Sequence, residues 1–191
     1  MNFERRILIW TALPFLLSAC MGPAKSAGPI VVKGPNEGDL RWFQPESSDE
    51  LGEGGSFTFK VDRHSVPYTD MMAVVQTLAA SGIPVHLHTS EDEVLYVVSG
   101  RGFAIVGEGQ DETPIETGSV IYIPKGEWHG VRNADPDERM DILVVTTPVD
   151  SKGLGEFFRR ATTKPGHPPL SLPEEEFLAL FKEYGMELPD L

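Results

Sequence analysis

Apolar residues between positions 56 and 147 fall in short runs rich in Val, Ile, Tyr and Phe, and turn-forming residues interrupt them at close intervals. The pattern predicts strands at Ser56–Val61, Met71–Leu78, Val85–His88, Val94–Val98, Gly102–Val106, Val120–Ile123, His129–Val131 and Asp141–Thr147. Turns are expected at Ser81-Gly82, Ser99–Gly102, Gly107-Glu108-Gly109, Thr117-Gly118, Pro124-Lys125-Gly126 and Asn133–Pro136. Short strands joined by tight turns favour an all-β antiparallel barrel or sandwich over an alternating α/β fold.

After Pro148 the spacing becomes helical, over Gly153–Ala161 and Ser171–Tyr184. Ser171 and Glu174 fit a capping box, Pro173 suits the first turn, and Gly185 is placed to stop the helix. Phe177, Phe181 and Tyr184 share one face with Leu180 beside them, and are expected to pack the helix on the outer surface of the barrel with no chemical role. Gly166–Pro169 reads as an irregular connector with His167 in solvent, and no internal repeat is present.

The first residues differ from both. Arg5 and Arg6 precede an apolar run from Ile7 to Leu17 that is too short to span a bilayer as a mature helix, which is the pattern of a signal peptide. Leu17-Ser18-Ala19-Cys20 resembles the lipobox of bacterial lipoproteins. That resemblance implies cleavage before Cys20, lipidation of its thiol and of the new amino terminus, and a protein exported and anchored to the bacterial cell envelope without crossing a membrane. Met21 stands where an aspartate would retain such a protein in an inner membrane, which implies the periplasmic side of the outer membrane in a Gram-negative cell. Cys20 is the single cysteine, so an intramolecular disulfide is impossible and thiolate metal sites in the folded part are excluded. Gly22 to Pro29 reads as a flexible tether. The expected division is therefore a leader over 1–19, lipidated cysteine and tether over 20–36, barrel over 37–150 and helical extension over 151–191.

A chain of 191 residues suits one domain with appendages. Its 29 acidic against 16 basic residues give a net charge of −13, which repels phosphate backbones and argues against nucleic acid as a partner.

Candidate chemistry lies between residues 86 and 133. On a strand His86 and His88 share a face, so both can turn inward as a chelating pair, and a separate hairpin can bring His129 to them. Glu91, Asp92 and Glu93 compete for an accompanying carboxylate role; Glu93 also puts Leu95 and Val97 on the inward face, as an apolar lining. Three imidazoles and a carboxylate are a ligand set for one divalent transition metal (Fe, Mn, Ni, Co, Cu or Zn) with coordination positions left open. Glu91 and Asp92 are expected to be solvated turn residues. Trp128 is expected at the pocket mouth or in the core, and His64 on the surface or in a hydrogen bond.

His86, His88, Glu93 and Gly100, followed by Gly118, Pro124, Gly126, His129 and Asn133, resemble the two motifs of the cupin superfamily, in particular single-domain quercetin-dioxygenase-like cupins. Ala80 stands where that family often has a glycine, and Ser119 where an aspartate is common; both positions concern turns. The resemblance implies a jelly-roll barrel with metal ligands His86, His88, Glu93 and His129, Glu93 also serving as catalytic base, and a possible homodimer paired through outer sheets. The activity it implies is dioxygenase-like oxidation of a small enolic or phenolic substrate. A cupin isomerase or epimerase, and a non-catalytic small-molecule-binding lipoprotein, are the alternatives.

Overall fold

The computed structural model describes residues 28–42, 55–78, 82–135, 137–168, 170 and 172–189. The expected leader, Cys20 and the first part of the tether lie outside these residues, as does Ser171. Val31–Leu191 form one compact unit.

Among the described residues the strands are β1 (Asp39–Trp42), β2 (Ser56–Val61), β3 (Met72–Leu78), β4 (Gly82–His88), β5 (Asp92–Ser99), β6 (Arg101–Val106), β7 (Asp111–Glu116), β8 (Val120–Ile123), β9 (His129–Asn133), β10 (Met140–Thr147) and β11 (Met186–Glu187). Two helices, α1 (Leu154–Ala161) and α2 (Glu174–Glu183), separate β10 from β11. The strands form two antiparallel sheets, ordered β1-β2-β3-β10-β5-β8 and β11-β4-β9-β6-β7. Each expected strand is present. The three that the pattern did not announce, β1, β7 and β11, all lie at sheet edges. In β7 only Ile115 is buried, and Pro114 is tolerated because an edge strand need not donate on its outer side.

Alternation fills the space between the sheets. Leu78 and Val74 of β3, Leu95 and Val97 of β5, and Ile142 and Val144 of β10 meet Ala104 of β6 and Val131 of β9 in one buried cluster. In β4 the register against β9 advances from Ile83↔Val131 to His86↔His129, so β4 carries one extra residue, a bulge. Pro84, which has no N–H to give, sits in it. Gly130 opposite leaves room for the distortion, since a Cβ there would lie 2.9 Å from the Ile83 carbonyl oxygen.

The helices do not simply lie against the outside of the barrel. Leu154, Phe157, Phe158 and Ala161 of α1 are buried, and the Phe158 ring sits 4.2 Å from that of Phe57 on β2. Arg159 fixes the other side of α1: it pairs with Asp62 and with Asp39 at 2.7 Å, and its guanidinium lies 4.4 Å from the Phe59 ring centre. Burial alone would raise the Asp62 carboxyl, but the Arg159 and Ser65 donors bring it below the usual carboxylate range. α2 starts directly after Pro173, which occupies the cap position with no side-chain cap bond, so the expected capping box does not set this terminus. Beyond α2 the Gly185 carbonyl accepts from the Thr89 N–H at 2.8 Å and its hydroxyl at 3.0 Å, and β11 then pairs Met186 with His88 on β4. Among the described residues no helix is long and apolar enough to cross a membrane.

Candidate metal centre

The bulged strand and its neighbour place His86 directly opposite His129, with His88 two residues further along β4. Glu93 comes from β5 in the facing sheet, so the site is assembled between the two sheets. All four residues are buried, each 5% exposed or less, and one donor atom from each lies within 4.8 Å of every other. His86 Nε2 is 3.2 Å from His88 Nε2, and Glu93 Oε2 is 2.9 Å from His129 Nε2 and 3.5 Å from His88 Nε2. Metal–ligand bonds of about 2.0–2.2 Å bring neighbouring donor atoms to about 3–4 Å from one another, close to the three separations just given.

The surroundings orient the rings. His86 Nδ1 donates to the Pro84 carbonyl and His129 Nδ1 to the Glu127 carbonyl, both at 2.8 Å, which leaves each Nε2 as an unprotonated donor atom facing the cluster. Although His129 Nε2 is close to Glu93, it makes no hydrogen bond, since with the proton on Nδ1 both atoms present lone pairs. A buried nitrogen in that condition calls for a partner. A cation among the four groups supplies one, so the residues fit a metal. Burial, reinforced by the neighbouring His88 and His129, lowers the His86 pKa to about 3, so this imidazole is a neutral ligand at any physiological pH. Burial alone would raise the Glu93 carboxyl, but the His129 and His88 ring nitrogens beside it bring it well below the usual range.

Glu91 is not the solvated turn residue expected from the sequence. It is 2% exposed, and its carboxylate accepts the Leu154 N–H at 2.7 Å and the Thr146 hydroxyl at 3.4 Å, which ties the start of α1 to the approach to β5. Burial pushes its pKa up, against the opposing Leu154 N–H. Asp92 accepts the Lys125 N–H. Trp128 is half-buried and does not line the cavity beside His86 and Glu93; His64 lies on the surface, 2.7 Å from Glu156, and His167 is exposed.

His86 and Glu93 border a cavity of about 270 Å³. Leu95 and Val97 do point inward but belong to the closed core; the cavity wall is instead made by Phe57 of β2, Phe157 and Phe158 of α1, and Phe177 and Phe181 of α2. The aromatic face of α2 is therefore part of the pocket, which corrects its expected role as outer packing. Gln76 is the other polar residue here, and the pattern did hold a signal for it: a glutamine on the inward parity of Met72, Val74 and Leu78. Glu91 left no such signal, because the group it binds lies 63 residues away in sequence.

Two facing antiparallel sheets with a buried histidine–glutamate cluster between them define a jelly-roll barrel of the cupin type, carrying two helices after the barrel. Residues 74–146, the span that holds all four donor residues, match the Cupin domain family, and together with the fold this supports the cupin superfamily. A stretch of 62 residues is 40% identical to an uncharacterized protein of Streptomyces coelicolor, covering 32% of this chain and 55% of the relative, so the chain spans about half the length of that relative. Among solved structures, a predicted oxalate decarboxylase from Thermotoga maritima is 18% identical, with 63% of this chain and 100% of that chain covered and a TM-score of 0.48. An RmlC-like cupin from Shewanella frigidimarina is 20% identical, with 54% and 84% covered and a TM-score of 0.44.

Proposed function

We propose that this protein is a metal-dependent, dioxygenase-like oxidoreductase acting on a small neutral enolic or phenolic molecule, held at the cell envelope by lipid on Cys20. The observation that carries the reading is the juxtaposition of an open His86, His88, Glu93, His129 ligand set with an aromatic cavity in which none of the described lining residues is Lys or Arg. Sugar acids and sugar phosphates bring anionic groups that need cationic partners. A planar, uncharged ring needs apolar walls, which Phe157, Phe177 and Phe181 provide. The wall thus favours the oxygenase reading over an isomerase or epimerase of a polar substrate. Anchoring rests on the leader-like first residues and on Leu17–Cys20.

The metal, when bound, supplies a Lewis acid with open positions and, if redox-active, one-electron exchange with dioxygen. His86 and His129 are held in the ligating tautomer by the Pro84 and Glu127 carbonyls. Glu93 turns Oε2 toward His88 and His129, which leaves its second oxygen to accept the hydroxyl proton of the substrate. The phenylalanines hold the ring in place and exclude water from it.

The metal-loaded protein is expected to consume dioxygen with at least one member of a panel of flavonols and catechols, and Glu93→Gln to abolish uptake while retaining part of the metal. Absence of uptake over the whole panel from metal-loaded protein would refute the oxygenase reading.

A further inference from the structure

The inward row of β3 is Met72, Val74, Gln76 and Leu78, and all four are buried. Three of them are apolar core. Gln76, only 7% exposed, lines the same cavity as His86 and Glu93, and its side-chain amide makes no hydrogen bond with any described residue. Its cross-strand partners are Phe57 on β2 and Ile142 on β10, neither of which offers a polar side-chain atom. The amide opens on the cavity, where a molecule inside the cavity can pair with it, whereas an apolar side chain of similar size would simply continue the core row. The fold therefore gives no reason for a glutamine here. The cavity does.

We infer that Gln76 is the residue that selects the ligand, by hydrogen bonding to a polar substituent carried on the side of the ring away from its metal-binding oxygens. Register supports this division of the pocket: Gln76 aligns through Ile142 with Val97, four residues along β5 from Glu93, so amide and metal ligands reach the ligand from different places along the barrel. The amide can donate and accept, so it recognises a carbonyl or hydroxyl and carries no charge to attract an anion. A ligand bound this way is compact, because about 270 Å³ is below the usual range of about 300–1,000 Å³ for ligand pockets. It is a neutral ring with chelating oxygens at one end and one hydrogen-bonding group at the other. This inference rests on the metal-pocket reading above.

The test uses protein loaded with zinc, which has no redox chemistry, titrated calorimetrically with two catechols of matched shape: 3,4-dihydroxyacetophenone, which carries a carbonyl, and 4-isopropylcatechol, which does not. The two differ in intrinsic chelating strength, but that difference is common to wild type and Gln76→Leu, so the ratio of their affinity ratios isolates the amide. Wild type is expected to favour the acetyl compound over the isopropyl one by about five- to tenfold more than Gln76→Leu does, the size of one neutral hydrogen bond. Ligand-free Gln76→Leu is expected to melt no lower than wild type, because no hydrogen bond to a described residue is lost and apolar surface is gained. An unchanged preference between the two proteins, or a lower melting temperature for Gln76→Leu, overturns the role of Gln76 and leaves the metal pocket standing. Failure of both catechols to bind wild type that holds stoichiometric zinc overturns the pocket reading, and this inference with it.

Discussion

Glu91 and Glu93 are separated by one residue, share a parity, and are both buried, yet one faces three imidazoles and the other an α-helix N-terminus. Parity cannot tell them apart. Motif spacing singled out Glu93, which the structure brings into the histidine cluster, while the turn-like run Thr89–Asp92 hid the burial of Glu91. The Glu91 carboxylate satisfies one of the free N–H groups at the start of α1 and lies where the helix dipole favours negative charge. It also explains Gly153: a Cβ at that position would come within 2.4 Å of Glu91 Oε1. Glu91→Ala strands the Leu154 N–H and opens a hollow, so we expect a loss of about 2 kcal/mol. For a chain of this size that is a melting temperature lower by about 4–8 °C, measurable by scanning calorimetry. Metal stoichiometry should be retained. A variant that loses its metal at unchanged melting temperature would reverse the assignments of the two glutamates.

At the scale of elements, the strands with a strongly alternating inward row were legible, and those without one were not. β3, β5 and β10 each bury alternate apolar residues, and their pattern follows from having one face on the core. β1, β7 and β11 bury few side chains, so only their neighbours' backbones define them as strands. Both helices were legible by period, but what they cover was not, since a helical stripe of phenylalanines looks the same whether it packs on a closed core or walls a cavity. Here Phe157, Phe181 and Phe177 contact one another, with ring centres 4.7 and 5.4 Å apart in successive pairs, and together border the cavity beside His86 and Glu93. Stopping the chain after Leu170 removes two of these rings and β11. The shortened protein is expected to bind a hydrophobic fluorescent dye such as ANS and to hold its metal at least tenfold more weakly than the full chain. Unchanged dye binding and metal affinity would show α2 to be dispensable to the pocket.

For the whole molecule, assembly of the site between two sheets makes its protonation part of folding. As pH falls, the unfolded chain takes up a proton on His86 near its ordinary value of 6.5, whereas the folded one resists until about 3. Between those values the unfolded state binds more protons, so stability decreases as pH is lowered through this window. Glu93, depressed in the fold, acts in the same direction below its ordinary 4.5. Glu91 is raised and opposes them, as does relief of the −13 net charge, so His86→Gln is the proper comparison. In metal-free protein the melting advantage of wild type over His86→Gln should shrink steadily from pH 6.5 toward 4.5. A constant gap across that range would contradict the neutral, buried state of His86. The cluster of His86, His88, Glu93 and His129 was legible because ligand chemistry restricts residue type and spacing; the cavity bordered by His86 and Glu93 was not, because its walls are contributed by β2 and both helices, from segments far apart along the chain.

The pairing of Met186 with His88 also orders events during synthesis. The histidine pair leaves the ribosome roughly a hundred residues before the strand that borders it, an interval of about 5–20 s at ordinary translation rates. During that time the imidazoles stand uncovered, able to meet whichever cation the surrounding fluid offers. Secretion before the barrel closes would hand the choice of metal to the compartment of arrival and not to the cytosol.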